Sequence, residues 1–362
     1  MNSLRKILSL IVISLFLSTT FVFGNEEHAA GKPEKIDVKE LILEHLADSY
    51  TWHITKIGET DIAIPLPIIV YSQTTGWHVF MSSAFHETGV HEGLTIAAEG
   101  KYKGKIVEKD VQGNEVKPFD ISITKVAFSL LLNSALLIFI ILMVARSYKK
   151  DSLESKKGFV GFMELFIMNI NDDVIKPCIG KDYRKFSPYL LTVFFFIFFN
   201  NLVGIIPIFP GGANVTGNIA ITFTLAVCTF LIVNIFGTKE YWREIFWPDV
   251  PVWLKVPVPL MPAIELVGVF TKPFALMIRL FANMLAGHSV VLGLTCLVFV
   301  TVSLGPAMNT SMTIVSVLFT VFINLVEVLV AYIQAYVFVL LSAVFIGLAR
   351  VEPHHAHKEV KE

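Results

Sequence analysis

The sequence predicts an all-α polytopic membrane protein of about five transmembrane helices plus an interfacial helix. It ends in a long tilted two-helix hairpin and begins with a small α+β extracytoplasmic region. Three observations lead there. Of 362 residues, 54% are hydrophobic and only 16% charged, with a mean hydropathy of +0.66, too apolar for a soluble globular chain. Apolar runs of the ~20 residues that a ~30 Å hydrocarbon core requires recur from Val126 onward. The Lys and Arg residues between those runs fall on alternate loops, as the positive-inside rule demands. A net charge of −1 provides no overall field for nucleic acid.

Residues 1–24 read as a secretory signal peptide, with Arg5 and Lys6 before the apolar run Ile7 to Leu17 and small Gly24 before a cut; an uncleaved anchor is the alternative. Residues 25–124 form a polar extracytoplasmic region. A short amphipathic helix is expected near Val38 to Ala47, carrying Leu41, Ile42, His45 and Leu46 close to one face. Strand-forming residues follow at Asp61 to Tyr71, Trp77 to Met81 and Lys103 to Val107, broken by Gly76, Gly93, Gly104 and Gly113. His28, His45, His53, His78, His86 and His91 lie in this region without a repeating ligand spacing. A solvated surface therefore weighs more than a metal site. Cys178, Cys228 and Cys296 all lie beyond it, so it has no disulfide framework.

The membrane domain occupies residues 125–350. Val126 to Val144 is the first span, and Arg146, Lys149, Lys150, Lys156 and Lys157 place its end in the cytoplasm. Phe159 to Ile170, interrupted by Glu164 and Asn169, suits an interfacial helix. Tyr189 to Ile206 goes outward to an uncharged loop, and Ile219 to Phe236 returns to Lys239, Arg243 and Lys255. Tyr241, Trp242, Trp247 and Trp253 suit an interfacial belt. Met261 to Leu304 and Ile314 to Ala349 are longer than a perpendicular span needs, and tilt is the simplest accommodation. Residues 351–362 are a charged cytoplasmic tail; His354 to His357 read as a solvated terminus rather than a metal site. The N-terminus is thus expected outside and the C-terminus inside the cell's inner membrane.

Within this frame Arg279 stands out. It is a permanent cation inside the apolar stretch Thr271 to Val290, and at a helix centre such a charge costs about 2.5–3.5 kcal/mol on the lenient insertion scale. At about 100° per residue, Asn283 and Gly287 lie towards its face and His288 points the opposite way. Folding the last two stretches as an antiparallel hairpin sets Arg279 level with Gln334 and His288 level with Glu327, since both pairs centre on the Gly305 to Asn309 turn. Glu265, Lys272 and Arg279 are spaced by seven and fall near one face, provided Pro273 leaves the helix straight. His288 and Glu327 are a pair able to relay protons near neutral pH.

A buried packing pair for Arg279 is the bland alternative, and single His or Gln residues often merely hydrogen-bond between helices. A secondary transporter would show related halves with broken helices, and none is found. For an intramembrane protease, Gly287-His288-Ser289 puts nucleophile and base on diverging sides of one helix. There is no GxxxxGK[ST] phosphate loop.

The runs RLFANMLAGH (Arg279 to His288) and IQAYVF (Ile333 to Phe338) resemble the signature helices of the a subunit family of F-type ATP synthases, over about Val126 to Arg350. The resemblance implies a non-catalytic, proton-translocating subunit without cofactor or metal. Its implied partners are a c-subunit ring, the b subunits of a peripheral stalk, the rest of the complex and the bilayer. It makes Arg279 the essential charge facing a rotor carboxylate, Asn283 the asparagine one turn on, Gln334 the glutamine of the last helix and Glu265 the acid before Lys272-Pro273. In some bacterial relatives His288 and Glu327 are exchanged, and Asn218 stands where some have aspartate. Asn218, Thr222, His288, Glu327 and Gln334 are accordingly expected to line an external half-channel, with Glu265 serving the cytoplasmic half.

Overall fold

The computed structural model describes residues 47–57, 60–85, 89–97, 100–109, 114–150, 156–206, 211–247, 260–302 and 305–350. The expected signal peptide, the helix near 38–47 except its last residue, the loop at 207–210, Trp253, Lys255 and the tail 351–362 lie outside them.

The N-terminal region is built of short antiparallel strands. β1 (Thr51–Ile57) pairs with β2 (Thr60–Pro65). A second sheet has β3 (Pro67–Ser72) between β4 (Gly76–Met81) and β9 (Phe119–Asp120). A third runs β5 (Val90–His91), β6 (Leu94–Ile96), β7 (Ile106–Lys109), β8 (Glu115–Val116). The stretch expected as one strand from Asp61 to Tyr71 is divided at Pro65-Leu66-Pro67, because two residues without an N–H cannot continue one ladder, and the chain changes sheets there. The β5–β6 turn has Glu92 at φ 50° and Gly93 at φ 80°, the positive values that a two-residue hairpin matched to strand twist requires. His78, reaching across from β4, binds the Glu92 carboxylate, and that hydrogen bond holds the carboxyl below the usual glutamate range.

Alternation along β3 sends Ile68 and Val70 into a small core with Tyr50, Phe85, Leu94 and Ile106. The Tyr50 hydroxyl donates to Asp120 Oδ2 at 2.5 Å. Burial, aided by that carboxylate, raises the Tyr50 pKa. The other face of the β4–β3–β9 sheet exposes Tyr71, Trp77, Val79, Met81, Phe119 and Ile121.

The remainder is helical: α1 (Lys125–Lys150), α2 (Phe159–Met168), a π-helical turn (Asn169–Ile175), α3 (Lys176–Ile179), α4 (Tyr183–Ile205), α5 (Ile219–Ile235), α6 (Lys239–Phe246), α7 (Leu260–Thr301) and α8 (Pro306–Ala349). Among the described residues four helical stretches are long and apolar enough to cross a membrane, or five if α5 and α6, bent by 101°, count as one. The hairpin turn comes earlier and is tighter than expected. Gly305 takes φ 106° and Pro306 begins α8, a position where its missing N–H costs nothing. α7 continues through Pro273. At about 1.5 Å per residue, α7 (42 residues) and α8 (44 residues) are each about twice the ~30 Å of hydrocarbon, so they stay within a bilayer only if steeply inclined.

The helical core centres on α4. Leu190, Phe194 and Ile197 are fully buried, and Phe166, Phe194, Phe198 and Tyr332 form a cluster of rings. Of the phenylalanines from 194 to 199, Phe194 and Phe195 are buried and Phe198 stacks in that cluster, so these three are packing residues. α8 approaches α3 so closely at Gly347 that a Cβ there would strike the Cys178 carbonyl. The end of α8 is clamped by an Arg350–Asp182 ion pair and by Thr238 N–H donating to the Ala349 carbonyl at 2.9 Å.

Tyr50→Phe is expected to destabilise the β3–β9 pairing by about 1.5–3 kcal/mol, the worth of a hydrogen bond to a charged group. Hydrogen exchange on the full-length solubilised chain checks this through a roughly ten- to hundred-fold loss of protection in those strands; unchanged exchange would remove Asp120 from the account of the domain's stability.

Candidate functional site

α7 sorts its residues by period. Leu276, Met277, Leu280 and Met284 are buried, while Ala275, Arg279, Ala282, Asn283 and Ala286 are exposed. Arg279 thus stands on the outer face of a long apolar helix, among small side chains. Among the described residues no hydrogen bond or ion pair reaches its guanidinium, so the level partner Gln334, buried on α8, does not neutralise or bind it.

α7 and α8 are tied near the turn by Thr301 Oγ1 donating to Asn309 Oδ1 at 3.2 Å and by Ser316 Oγ donating to the Leu294 carbonyl at 2.6 Å. Further along, Glu327, 7% exposed, lays its carboxylate against Gly287; a Cβ on that glycine would collide with Oε1. The missing side chain at position 287, one residue before His288, is what admits the carboxylate against α7. The imidazole Nε2 lies 3.9 Å from where a Cβ on Gly204 of α4 would sit. Both Glu327 Oε1 and His288 Nε2 are buried without a hydrogen-bond partner. An imidazole and a carboxyl, each with a free polar atom, are the group types that can pass a proton.

A set of buried polar groups that sequence reasoning missed lies on α1, α4 and the segment that follows α4. Asn133 Nδ2, buried in α1, donates to Asn200 Oδ1 at 3.1 Å and to Ser129 Oγ at 3.3 Å. Asn201 Oδ1 accepts the Thr216 hydroxyl, and Asn214 Nδ2 donates to the Met284 carbonyl of α7 at 3.4 Å. Asn133 Oδ1 and Asn201 Nδ2 are again buried and unpartnered. The rule that singles out Arg279, a polar residue inside an apolar run, also applies to Asn133 within Val126 to Val144.

The other candidates lie apart. Asn218 caps α5, accepting the Ala220 N–H at 3.0 Å, and buried Thr222 gives its hydroxyl to the Ile219 carbonyl at 3.1 Å. Both are used locally. Glu265, half-buried on α7, is within electrostatic reach of Tyr241 on α6. Lys272 turns inward, its ammonium 5.7 Å from the Phe345 ring centre, in a cleft shared with Thr229, Asn234 and Tyr241. Among the described residues no group of three or more His, Cys, Asp and Glu side chains could hold a metal.

A family model described as ATP synthase A chain matches residues 127–347, and one described as a domain of unknown function matches residues 41–123. ATP synthase subunit a 2 of Chlorobaculum tepidum is 44% identical, the match covering 93% of this chain and 81% of that one. ATP synthase subunit a of Chloroherpeton thalassium is 41% identical over 67% of this chain and 70% of its own length. That of Myxococcus xanthus is 40% identical over 65% and 75%.

Gly287→Ala is expected to cost about 1–3 kcal/mol through overpacking against Glu327, whereas Gly293→Ala, with open space around it, is expected to be neutral or stabilising. Thermal unfolding of the two solubilised variants checks this; equal midpoints would mean that Glu327 does not occupy the notch.

Proposed function

The chain belongs to the ATP synthase A chain family, and from that membership we propose that it is the proton-translocating membrane subunit of an ATP synthase, with Arg279 as the fixed charge met by a rotor carboxylate. The observation that carries this reading is the exposure of Arg279 on an apolar helix face, among alanines and free of any ion pair within the described residues. Small residues let another helix come close, and a guanidinium there favours the ionised form of an approaching carboxylate.

The subunit is multi-pass, with its N-terminus outside and its C-terminus in the cytoplasm. Residues 25–124 form the external region and 125–350 the membrane domain. The partner supplying the carboxylates is a c-subunit ring, and b subunits of a peripheral stalk hold the chain still against it. Protons enter from outside through the polar lining, reach His288 and Glu327, and pass to the ring; they leave on the cytoplasmic side by way of Glu265. Arg279, which cannot release its proton, separates the two half-channels and prevents a direct leak. Asn283 and Gln334 flank the charge, while Asn218 and Thr222 belong to the outer side. One proton crossing 100 mV yields about 2.3 kcal/mol, so several transfers must be added together by the ring for each ATP. The nucleotide chemistry lies in other subunits.

Replacing Arg279 by Ala in the intact complex is expected to leave assembly normal while ATP synthesis and ATP-driven pumping each fall about a hundredfold or more, as when a preorganised charge is removed from an active site. Inverted vesicles with a pH-sensitive dye provide the measurement, and full coupled pumping by this variant would sink the reading.

His288→Glu combined with Glu327→His is expected to retain more pumping than either single change, because the pair's chemistry is kept with its positions reversed. Strict additivity in this cycle would argue against direct coupling of the two side chains.

A further inference from the structure

The first membrane helix is capped by residues that lie far away in sequence. Lys125 N–H donates to the Ser49 carbonyl at 2.8 Å, and Val126 N–H donates to Asp48 Oδ1 at 3.1 Å. Trp52 packs edge-on against Phe128, with ring centres 5.9 Å apart. Asp48 is thus held against the start of α1, where its charge acts on Lys125.

Lys125 in turn stands above the His288 rung. Arg146, Lys149 and Lys150 after α1 and Lys181, Arg184 and Lys185 at the start of α4 place those two ends on one side of the membrane, so the helices run antiparallel. Asn133 bonds Asn200 between them. One turn outward on each helix brings Ser129 level with Gly204, beside which His288 Nε2 lies. Lys125 is a further turn out, about 6 Å, a distance its side chain spans.

We propose that Asp48 of the external region balances Lys125 and so sets the charge met by protons arriving at His288. This inference rests on the reading of His288 as part of the proton path. With the carboxylate in place, the cation beside the imidazole is offset. Without it, Lys125 repels an incoming proton and disfavours the imidazolium. The other ionisable groups facing these two are few among the described residues. Glu327 faces Gly287, the residue before His288, from α8, and Arg279 lies nine residues back along α7. The neighbouring parts of α4 and the segment 211–217 bring only Asn200, Asn201, Asn214 and Thr216. α5 carries no ionisable side chain but Cys228. Beyond Lys125, Asp48 also acts on Tyr50.

Asp48→Asn separates charge from cap, since asparagine is as good an N-cap acceptor as aspartate. The test is ATP synthesis by the intact complex in proteoliposomes, with the pH at the outer face of this chain varied. Asp48→Asn is expected to move the half-maximal external pH down by about one unit, the scale of a neighbouring charge's effect. Lys125→Gln alone is expected to move it up, and the pair together to restore the original profile. If Asp48→Asn does not assemble, the upward shift in Lys125→Gln carries the test. An unchanged profile in both single variants, or a double variant showing only the summed loss of rate, would overturn the proposal and leave Asp48 as a cap. Arg279→Ala run alongside keeps the two readings apart. Synthesis by that variant would fell the proton-path reading, whereas an inactive Arg279→Ala with an unmoved Asp48→Asn profile would fell only this one.

Discussion

A polar group inside hydrocarbon loses its water partners at a cost of several kcal/mol, and most contacts between these helices answer that loss. Threonine and asparagine side chains return to carbonyls of their own helices, as Thr229 does to Leu225 and Asn234 to Phe230. Others bond across helices, as Ser316 does to Leu294 and Tyr189 to Thr229. Against that background the exceptions gain meaning. Buried atoms left without a partner include Asn133 Oδ1, Asn201 Nδ2, His288 Nε2 and Glu327 Oε1.

Glycine shapes the packing at one of these. At Gly287 the absent Cβ leaves room for the Glu327 carboxylate between α7 and α8. At Gly347 the same absence brings α8 against α3 at the far end of the molecule. Close approach through small residues supplies the packing that hydrophobicity cannot supply between helices already in lipid. The outer face of α7 is also lined by small residues, and nothing within the described chain covers it. In the proposed mechanism that uncovered face is where a second, moving surface passes.

The N-terminal strand region is fastened to the helices by residues just before β1. Asp48 and Ser49 take up N–H groups that α1 would leave bare at its start, and Trp52 anchors the strand that follows. In the proposed reading, a region that caps a membrane helix acts on what enters beside that helix through charge rather than through movement.

Much of the fold was legible because the bilayer imposes length and polarity on a spanning helix. The apolar runs beginning at Val126, Tyr189, Ile219, Met261 and Ile314 each start inside a helix, and Arg279 announced itself as a charge where charges are costly. The strands were less legible, because prolines at 65 and 67 redirect the chain between sheets and no local pattern says which strands pair. Of the candidate site, residue types and level could be read from spacing, and that is all spacing contains. Which side of a helix is covered, that Thr222 spends its hydroxyl on its own backbone, that Asn133 meets Asn200, and that Asp48 reaches α1 were decided by tertiary packing, because burial and long-range pairing depend on what lies opposite each side chain. The amino-acid order alone determined a chain of apolar helices with one stubborn cation. Only the folded structure decided that this cation faces outward while the histidine and glutamate face in.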